Sequence, residues 1–151
     1  EYEVEYLLRA AGEGLAPEVE QLLRRPLQPD CTLKRYFGKT ALMLASENGH
    51  LEVARLLCKA GADKDRPRLD GATPLVMVAQ QRLPEGAEEG IVRVLCQEGA
   101  DVDKGVSSGT SPLIIAAQHG NLEVVRLLCA AGADRDRAVQ GGTTPLIIAA
   151  Q

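Results

Sequence analysis

The chain has 151 residues, of which 45% are hydrophobic and 25% charged, a balance that excludes a disordered polypeptide. Its net charge is −4, with basic and acidic residues interleaved, which disfavours nonspecific binding to nucleic acid or anionic lipid. No apolar run is long enough to span a membrane, and no signal-peptide pattern opens the chain. The first residue is Glu1, which is compatible with a targeting segment having been removed.

The chain repeats itself. Glycines open four related segments at spacings of 33, 38 and 33 residues: Gly38, Gly71, Gly109 and Gly142. Residues 1–37 fit the pattern more loosely, with apolar residues in the corresponding places: Leu7, Ala10, Ala11, Val19, Leu22 and Leu23. We therefore predict one domain over 1–151 with repeats at 1–37, 38–70, 71–108, 109–141 and a partial fifth at 142–151. All aromatic residues precede position 38, so the later core must come from Leu, Ile, Val and Ala.

Each repeat is predicted to form a helix, a turn, a second helix and a loop. The first helices are expected to begin near a Ser or Thr that caps them: Thr40, Thr73, Ser111 and Thr144. In the repeat at 109–141, Gly120 ends the first helix and Asn121 caps the second. The second helix is expected to bury a stripe on one face: Leu122, Val125 and Leu128, widened by Val124 and Leu127.

The repeat at 71–108 has five extra residues, which fall within 82–90, between its two helices. Pro84, Gly86 and Gly90 predict a non-helical segment, and three glutamates make it acidic. One interpretation is a tolerated surface loop, and the other is a contact specific to a partner. We favour the surface loop.

The last segment, "GTTPLIIAAQ" at 142–151, contains the first helix of a repeat and no second helix. Its apolar residues can pack on the preceding repeat on one side only: Leu146, Ile147, Ile148 and Ala149. We expect this C-terminal edge to be covered by further repeats or by a partner, because terminal repeats of stable arrays carry a polar outer face.

The recurring T-P-L-x-x-A-A, G-x-L-E-V-V-x-L-L and G-A-D motifs resemble ankyrin repeats, strongly over 38–151 and weakly over 1–37. The resemblance implies an all-α solenoid of stacked helix–turn–helix units, with hairpin-like loops beside a concave face. Family members usually have His after T-P-L, where this chain has Met43, Val76, Ile114 and Ile147. The hydrogen-bond network of that histidine is therefore in question here, whereas the fold is not.

Other motifs do not indicate catalysis or a metal. Three of the four cysteines (Cys58, Cys96 and Cys129) occupy one position in successive repeats, too far apart to form a disulfide or share a metal. Reduced, largely buried cysteines in an intracellular, cytoplasmic setting are expected, with no cofactor. The "GKT" at 38–40 is a repeat start, since Leu33 stands where a phosphate-binding loop needs glycine. His50 is expected to pack in a turn.

These observations favour a non-catalytic scaffold that binds a protein partner, rather than an enzyme, nucleic-acid binder or membrane-inserted protein. The alternatives are a regulatory or targeting segment of a larger protein, or an accessory subunit of a large assembly. By resemblance, contacts are expected at loop tips and exposed ends of first helices: Tyr36, Phe37, Lys39, Glu47, Asn48, Leu69, Asp70, Ala72, Gln80, Gln81, Ser107, Ser108, Thr110, Gln118, His119, Thr143 and Gln151. Four of these form an amide-rich row: Gln80, Gln81, Gln118 and Gln151.

Overall fold

The computed structural model describes residues 1–84, 86–137, 142 and 144. These residues form α-helices and one short 3₁₀ turn at Lys34–Tyr36, and no strand is found among them. The helices are α1 (Tyr2–Glu13), α2 (Ala16–Leu23), α3 (Ala41–Glu47), α4 (Leu51–Lys59), α5 (Pro74–Gln80), α6 (Ala87–Gln97), α7 (Pro112–Gln118) and α8 (Leu122–Ala130). The predicted all-α, repetitive architecture is confirmed.

The helices stack in two rows. The inner row runs α1, α3, α5, α7 and the outer row α2, α4, α6, α8, each helix packing on the next of its row. The core lies between the rows and is built of small aliphatic side chains, as predicted, although two methionines join them: Met43 and Met77 are both buried. Four of the residues used to align the first repeat are also fully buried: Leu7, Ala10, Ala11 and Val19.

Buried hydroxyl groups cap the inner helices where the sequence predicts. The side-chain oxygens of Thr40, Thr73 and Ser111 each accept a hydrogen bond from the backbone N–H three residues later, at 3.3, 3.4 and 3.4 Å. Each satisfies one of the N–H groups that a helix leaves unpaired at its start. The helix expected after Thr144 and the C-terminal edge at 145–151 lie outside the described residues.

Loop aspartates connect neighbouring repeats. In each case a backbone N–H donates to a carboxylate of the preceding loop: Asp63 to Asp30 at 3.0 Å, Asp101 to Asp65 at 2.9 Å and Asp134 to Asp103 at 2.9 Å. The charged acceptor strengthens each of these bonds. These hydrogen bonds between successive loops fix the spacing of the loops and therefore position their tips.

The second helices confirm one prediction and correct another. Asn121 caps α8 by accepting a hydrogen bond from the N–H of Val124 at 3.2 Å. The buried residues of α8 are Val124, Leu127 and Leu128, whereas Leu122 is 75% exposed. The predicted stripe is therefore confirmed for Val124, Leu127 and Leu128, Val125 is half-buried against the core, and the expected burial of Leu122 is wrong. Leu122 is the first residue of its helix, and no described helix stacks beyond α8 to cover it.

The insertion differs from its prediction. Residues 81–86 link α5 to α6, whereas three residues link the equivalent helices on either side. The remaining extra residues lengthen α6 to 11 residues, against nine in α4 and α8. Residues 87–90 are therefore helical, and Gly90 lies inside α6. Leu51 of α4 packs against Gly90 so closely that a side chain at this position would clash with it.

The cysteines follow the prediction in part. All four are unpaired, but only Cys58 is buried, and Cys96 and Cys129 are half-buried. Cys96 and Cys129 pack against the core only in part, which corrects the expectation of largely buried thiols. Burial raises the pKa of Cys58 to about 11 and also raises the pKa of Cys96.

Candidate protein-binding surface

The loop tips differ in construction. The first, second and third loops connect successive repeats at residues 24–40, 60–73 and 98–111. A hairpin hydrogen bond closes the tip of the second loop, from the N–H of Arg68 to the oxygen of Ala72 at 2.9 Å, and the tip of the third loop, from the N–H of Val106 to the oxygen of Thr110 at 3.1 Å. The first loop instead makes a 3₁₀ turn that ends at Phe37. The hairpin-like loops implied by the resemblance are therefore present in the second and third repeats, and the first tip has its own geometry.

Two predicted contact residues bind each other. The Nζ atom of Lys39 lies 2.8 and 2.6 Å from the two carboxylate oxygens of Glu47. Their side chains are 20% and 15% exposed, so solvent screens this pair less than a surface ion pair. Lys39 and Glu47 thus join the first loop to the end of α3.

A second ion pair shapes the second tip. The Nε of Arg68 donates to Asp70 Oδ1 at 3.0 Å, and Nη2 donates to Oδ2. Asp70 Oδ1 also accepts from the backbone N–H of Ala72 at 3.1 Å. Arg68 is the main reason that the pKa of Asp70 falls to about 2, and Asp70 in turn raises the pKa of Arg68. Arg68 was not among the residues predicted from the sequence, although its charge, opposite to that of Asp70 two residues away in a turn, is a signal for such a pair.

The second and third tips are joined by their backbones. The N–H of Ser107 donates to the oxygen of Asp70 at 2.9 Å. Gly71 permits this approach, because a Cβ there would lie 2.5 Å from the Ser107 nitrogen. The hydroxyls of Ser108 and Thr110 lie 2.9 Å apart. These tip residues therefore form one polar, ordered edge.

The first two tips also present large apolar side chains to solvent. Phe37 is 75% exposed and Leu69 is 96% exposed, whereas Tyr36 is half-buried against the core. The tips are adjacent, because a Cβ added to Gly38 would lie 4.0 Å from Cγ of Arg68. Phe37 and Leu69 are the chain neighbours of these two residues, so two exposed apolar side chains are carried by adjacent loop tips.

The ends of the inner helices are polar. Asn48 Nδ2 donates to the oxygen of Leu44 at 3.0 Å, and His119 Nδ1 lies 2.9 Å from the oxygen of Ile115. Gln118 is exposed, and Gln80 and Gln81 are half-buried. The three amides of the predicted row within the described residues therefore lie at the ends of α5 and α7. Asn48 and His119, which follow α3 and α7, bond back to the helices that they end.

Three predicted contact residues need separate comment. Ala72 is fully buried and its N–H is held by Asp70, so it offers no surface to a partner and its inclusion was wrong. Its position beside an exposed tip suggests exposure, but the chain turns inward there to begin α5. Thr143 and Gln151 lie outside the described residues.

His50 packs in a turn, as predicted. Its Nε2 lies 3.0 Å from the oxygen of Gly12, and its ring covers Gly14, so it connects the first two repeats. Asn121 makes the equivalent link further along, its Nδ2 donating to the oxygen of Gln81 at 3.0 Å. Neither residue is part of a group of three or more His, Cys, Asp or Glu side chains suited to a metal, and the described residues contain no such group. None of the described helices is long and apolar enough to cross a membrane.

Comparison with protein families gives a match along most of the chain. The family described as ankyrin repeats (3 copies) matches residues 7–106 and 84–151. The match begins at residue 7 and therefore includes α2 and most of α1, where the sequence motifs are weakest.

Among characterised proteins, the chain is similar to oxysterol-binding protein-related protein 1 from Homo sapiens, Rattus norvegicus and Mus musculus. Each is 37% identical over 71 residues, which is 47% of this chain. The matched segment is 8% of the relatives' own length, so the likeness covers a small part of those proteins.

Proposed function

The chain belongs to the ankyrin-repeat family, whose members generally mediate protein–protein interaction, and from this premise we propose that it is a non-catalytic scaffold. In this proposal the partner is a protein, held by the loop tips and by the concave face along the inner helices. We propose further that 1–151 form one repeat domain with the boundaries predicted above. An intracellular, cytoplasmic location is part of the proposal and is supported by four unpaired cysteines.

The apolar tips of Phe37 and Leu69 carry the proposal. Both side chains are exposed and take no part in the core, and aromatic residues such as Phe37 are enriched at protein interfaces. The polar residues of the other tips are held by neighbouring loops, which supports a preorganised surface. A preorganised surface loses little conformational entropy on binding.

Affinity capture with matched variants tests this function. The chain is immobilised, and bound proteins from the source organism are compared for wild type, Gln118→Arg, Ser108→Arg and Gln97→Arg. Gln118 and Ser108 lie on the proposed surface, and Gln97 lies exposed on the outer row. We expect specific partners to be lost with the first two variants and retained with Gln97→Arg. Retention of every partner by all variants, or loss only with Gln97→Arg, would place binding elsewhere.

A second candidate is a regulatory or targeting segment of a larger protein. The relatives favour it, because the matched ankyrin segment forms 8% of each of those longer chains. An accessory subunit of a large assembly is the remaining alternative. Sequencing the complete open reading frame and sizing the native protein from its source separate these two: a long multidomain frame supports the former, and a short frame within a large complex the latter.

A further inference from the structure

The apolar residues at the first two tips have no role in the fold. Leu69 and Phe37 are exposed, and the equivalent positions of the third loop are Ser107 and Ser108. The third tip shows that a polar residue suffices at these places. We call Phe37 and Leu69 the tip pair. They differ from the residues at the corresponding positions of the third loop because they expose large apolar side chains to water.

The backbone of Phe37 adds to this distinction. Its φ is 55°, the only positive value among the described residues other than glycine. A bulky aromatic residue is uncommon in this left-handed region, which Gly and Asn adopt more easily. Retaining Phe there costs stability, and residues held in such conformations are concentrated at binding sites.

Charge around the tip pair differs from the rest of the chain. Residues 33–39 contain three basic and no acidic side chains, and residues 66–72 contain two basic and one acidic, although the whole chain has a net charge of −4. Three of these cations are paired, with Glu5, Glu47 and Asp70. The other two, Lys34 and Arg66, are exposed and have no carboxylate within ion-pair distance in the described part of the chain.

We propose that the tip pair, together with Lys34 and Arg66, which precede Phe37 and Leu69 by three residues each, binds an acidic peptide segment that carries large apolar side chains. The apolar residues of the segment contact Phe37 and Leu69, and its carboxylates lie near the two unpaired cations. Apolar anchors supply the affinity, and the complementary charge supplies orientation and rate of association. This inference rests on the proposed scaffold function and specifies the chemistry of the partner.

Selection from a display library of random 12-residue peptides tests the proposal. The bait is the full chain, and the most enriched peptide is then made with a fluorescent label and titrated by anisotropy. We expect enriched peptides to have net negative charge and at least one large apolar residue. Binding should weaken as salt rises from 50 to 500 mM, because the charges involved are exposed.

Four variants locate the binding site. Phe37→Asn keeps a residue that tolerates the left-handed backbone, Leu69→Ser removes the second anchor, and Lys34→Glu and Arg66→Glu reverse the cations. Each should weaken peptide binding about tenfold or more, the range of a central interface residue. Gln97→Ala on the outer row is the control and should change the affinity less than about twofold. Unchanged circular dichroism and a cooperative urea unfolding transition establish that the variants are folded.

The outcomes separate this inference from the scaffold function. Enriched peptides without acidic residues, or no enrichment at all, overturn the inference. Peptide binding lost with Gln118→Arg but unchanged by the four tip variants also overturns it, while leaving the scaffold function in place. Failure of the capture experiment as well would overturn both. The same titration uses vesicles of 3:1 phosphatidylcholine and phosphatidylserine and a 20-nucleotide oligothymidylate. If the chain bound the vesicles or the oligonucleotide more tightly than the peptide, and the tip variants weakened that binding, the occupant of the surface would be a membrane or a nucleic acid and not a peptide.

Discussion

Lys39 and Glu47 hold each other through two short hydrogen bonds, 2.8 and 2.6 Å from Nζ to the carboxylate oxygens, across the boundary between the first loop and α3. Both residues were predicted to contact a partner protein, but in the structure they bind each other. Opening the pair would leave a partly buried charge unmatched, so we expect its main contribution to be to stability.

The Lys39–Glu47 pair should show measurable coupling in a double-mutant cycle. We expect Lys39→Met and Glu47→Gln each to lower the free energy of unfolding by about 1 kcal/mol, with a coupling near 1 kcal/mol, because the pair is less exposed than typical surface ion pairs. Urea unfolding of wild type, both single variants and the double variant measures it. The exposed i,i+4 pair of Arg24 and Glu20 serves as the reference, and equal coupling in the two pairs would contradict the prediction.

Asp70 should make stability depend on pH in the acid range. Its pKa is about 2 in the folded chain against an ordinary 3.8, so the carboxylate stabilises the fold fully above about pH 4. This contribution is lost as pH falls towards 2. Because the side chain is 49% exposed, screening reduces its size to about 1 kcal/mol. We expect Asp70→Asn to be less stable by that amount at pH 7 and equal to wild type near pH 2. A difference that persists at pH 2 would assign the effect to the loop geometry.

The thiols should react in a fixed order. Cys58 is 5% exposed and its pKa is about 11, so at pH 8 its thiolate fraction is roughly one part in a thousand. We expect iodoacetamide to modify Cys58 last in the folded protein, as read by mass spectrometry of tryptic peptides. In denaturant without reductant all four cysteines should react. Fewer than four would reveal a disulfide, and early modification of Cys58 would reveal local opening of α4.

The fold was largely predictable because its signals are periodic. Glycine spacing set the repeat length, and capping hydroxyls set the starts of α3, α5 and α7 within a residue. The exposure of Leu122 could not be predicted, because it depends on what stacks beyond α8 rather than on the helix itself. The helical state of Gly90 was missed for the same reason. Its local sequence indicates a turn, whereas close packing of Leu51 requires a residue without a side chain.

The candidate surface was less predictable than the fold. The sequence located the loop tips correctly, but it could not distinguish exposed residues such as Phe37 from residues that bond within the protein, such as Lys39. That distinction depends on contacts between residues on separate elements, as in the ion pair of Lys39 with the end of α3. Ala72 shows the limit of predicting exposure from sequence position, because an exposed hairpin turn and the buried core are only one position apart here.

The insertion after α5 should stabilise the stack of repeats. Leu83 is half-buried and extends over the turn of the preceding repeat, where a Cβ on Gly49 would lie 3.6 Å from its Cδ1. Arg82 extends the other way, with Nε and Nη2 at 3.3 and 3.2 Å from the oxygen of His119. The N–H of Leu83 donates to Glu88 at 2.6 Å, which fixes the loop between these contacts. Three repeats are thus connected by two adjacent residues.

We expect Leu83→Ser to lower the free energy of unfolding by about 1 kcal/mol, because a half-buried leucine forgoes part of its transfer energy. Arg82→Ala should cost less than about 0.5 kcal/mol, since its hydrogen bonds are exposed and water can replace them. Urea midpoints of the two variants and wild type provide the measurement, with Arg82→Ala as the matched control at the neighbouring position. Equal stability of Leu83→Ser and Arg82→Ala would mean that the segment is a passive surface loop. If Leu83→Ser retained full stability but lost captured partners, the insertion would instead be a contact site.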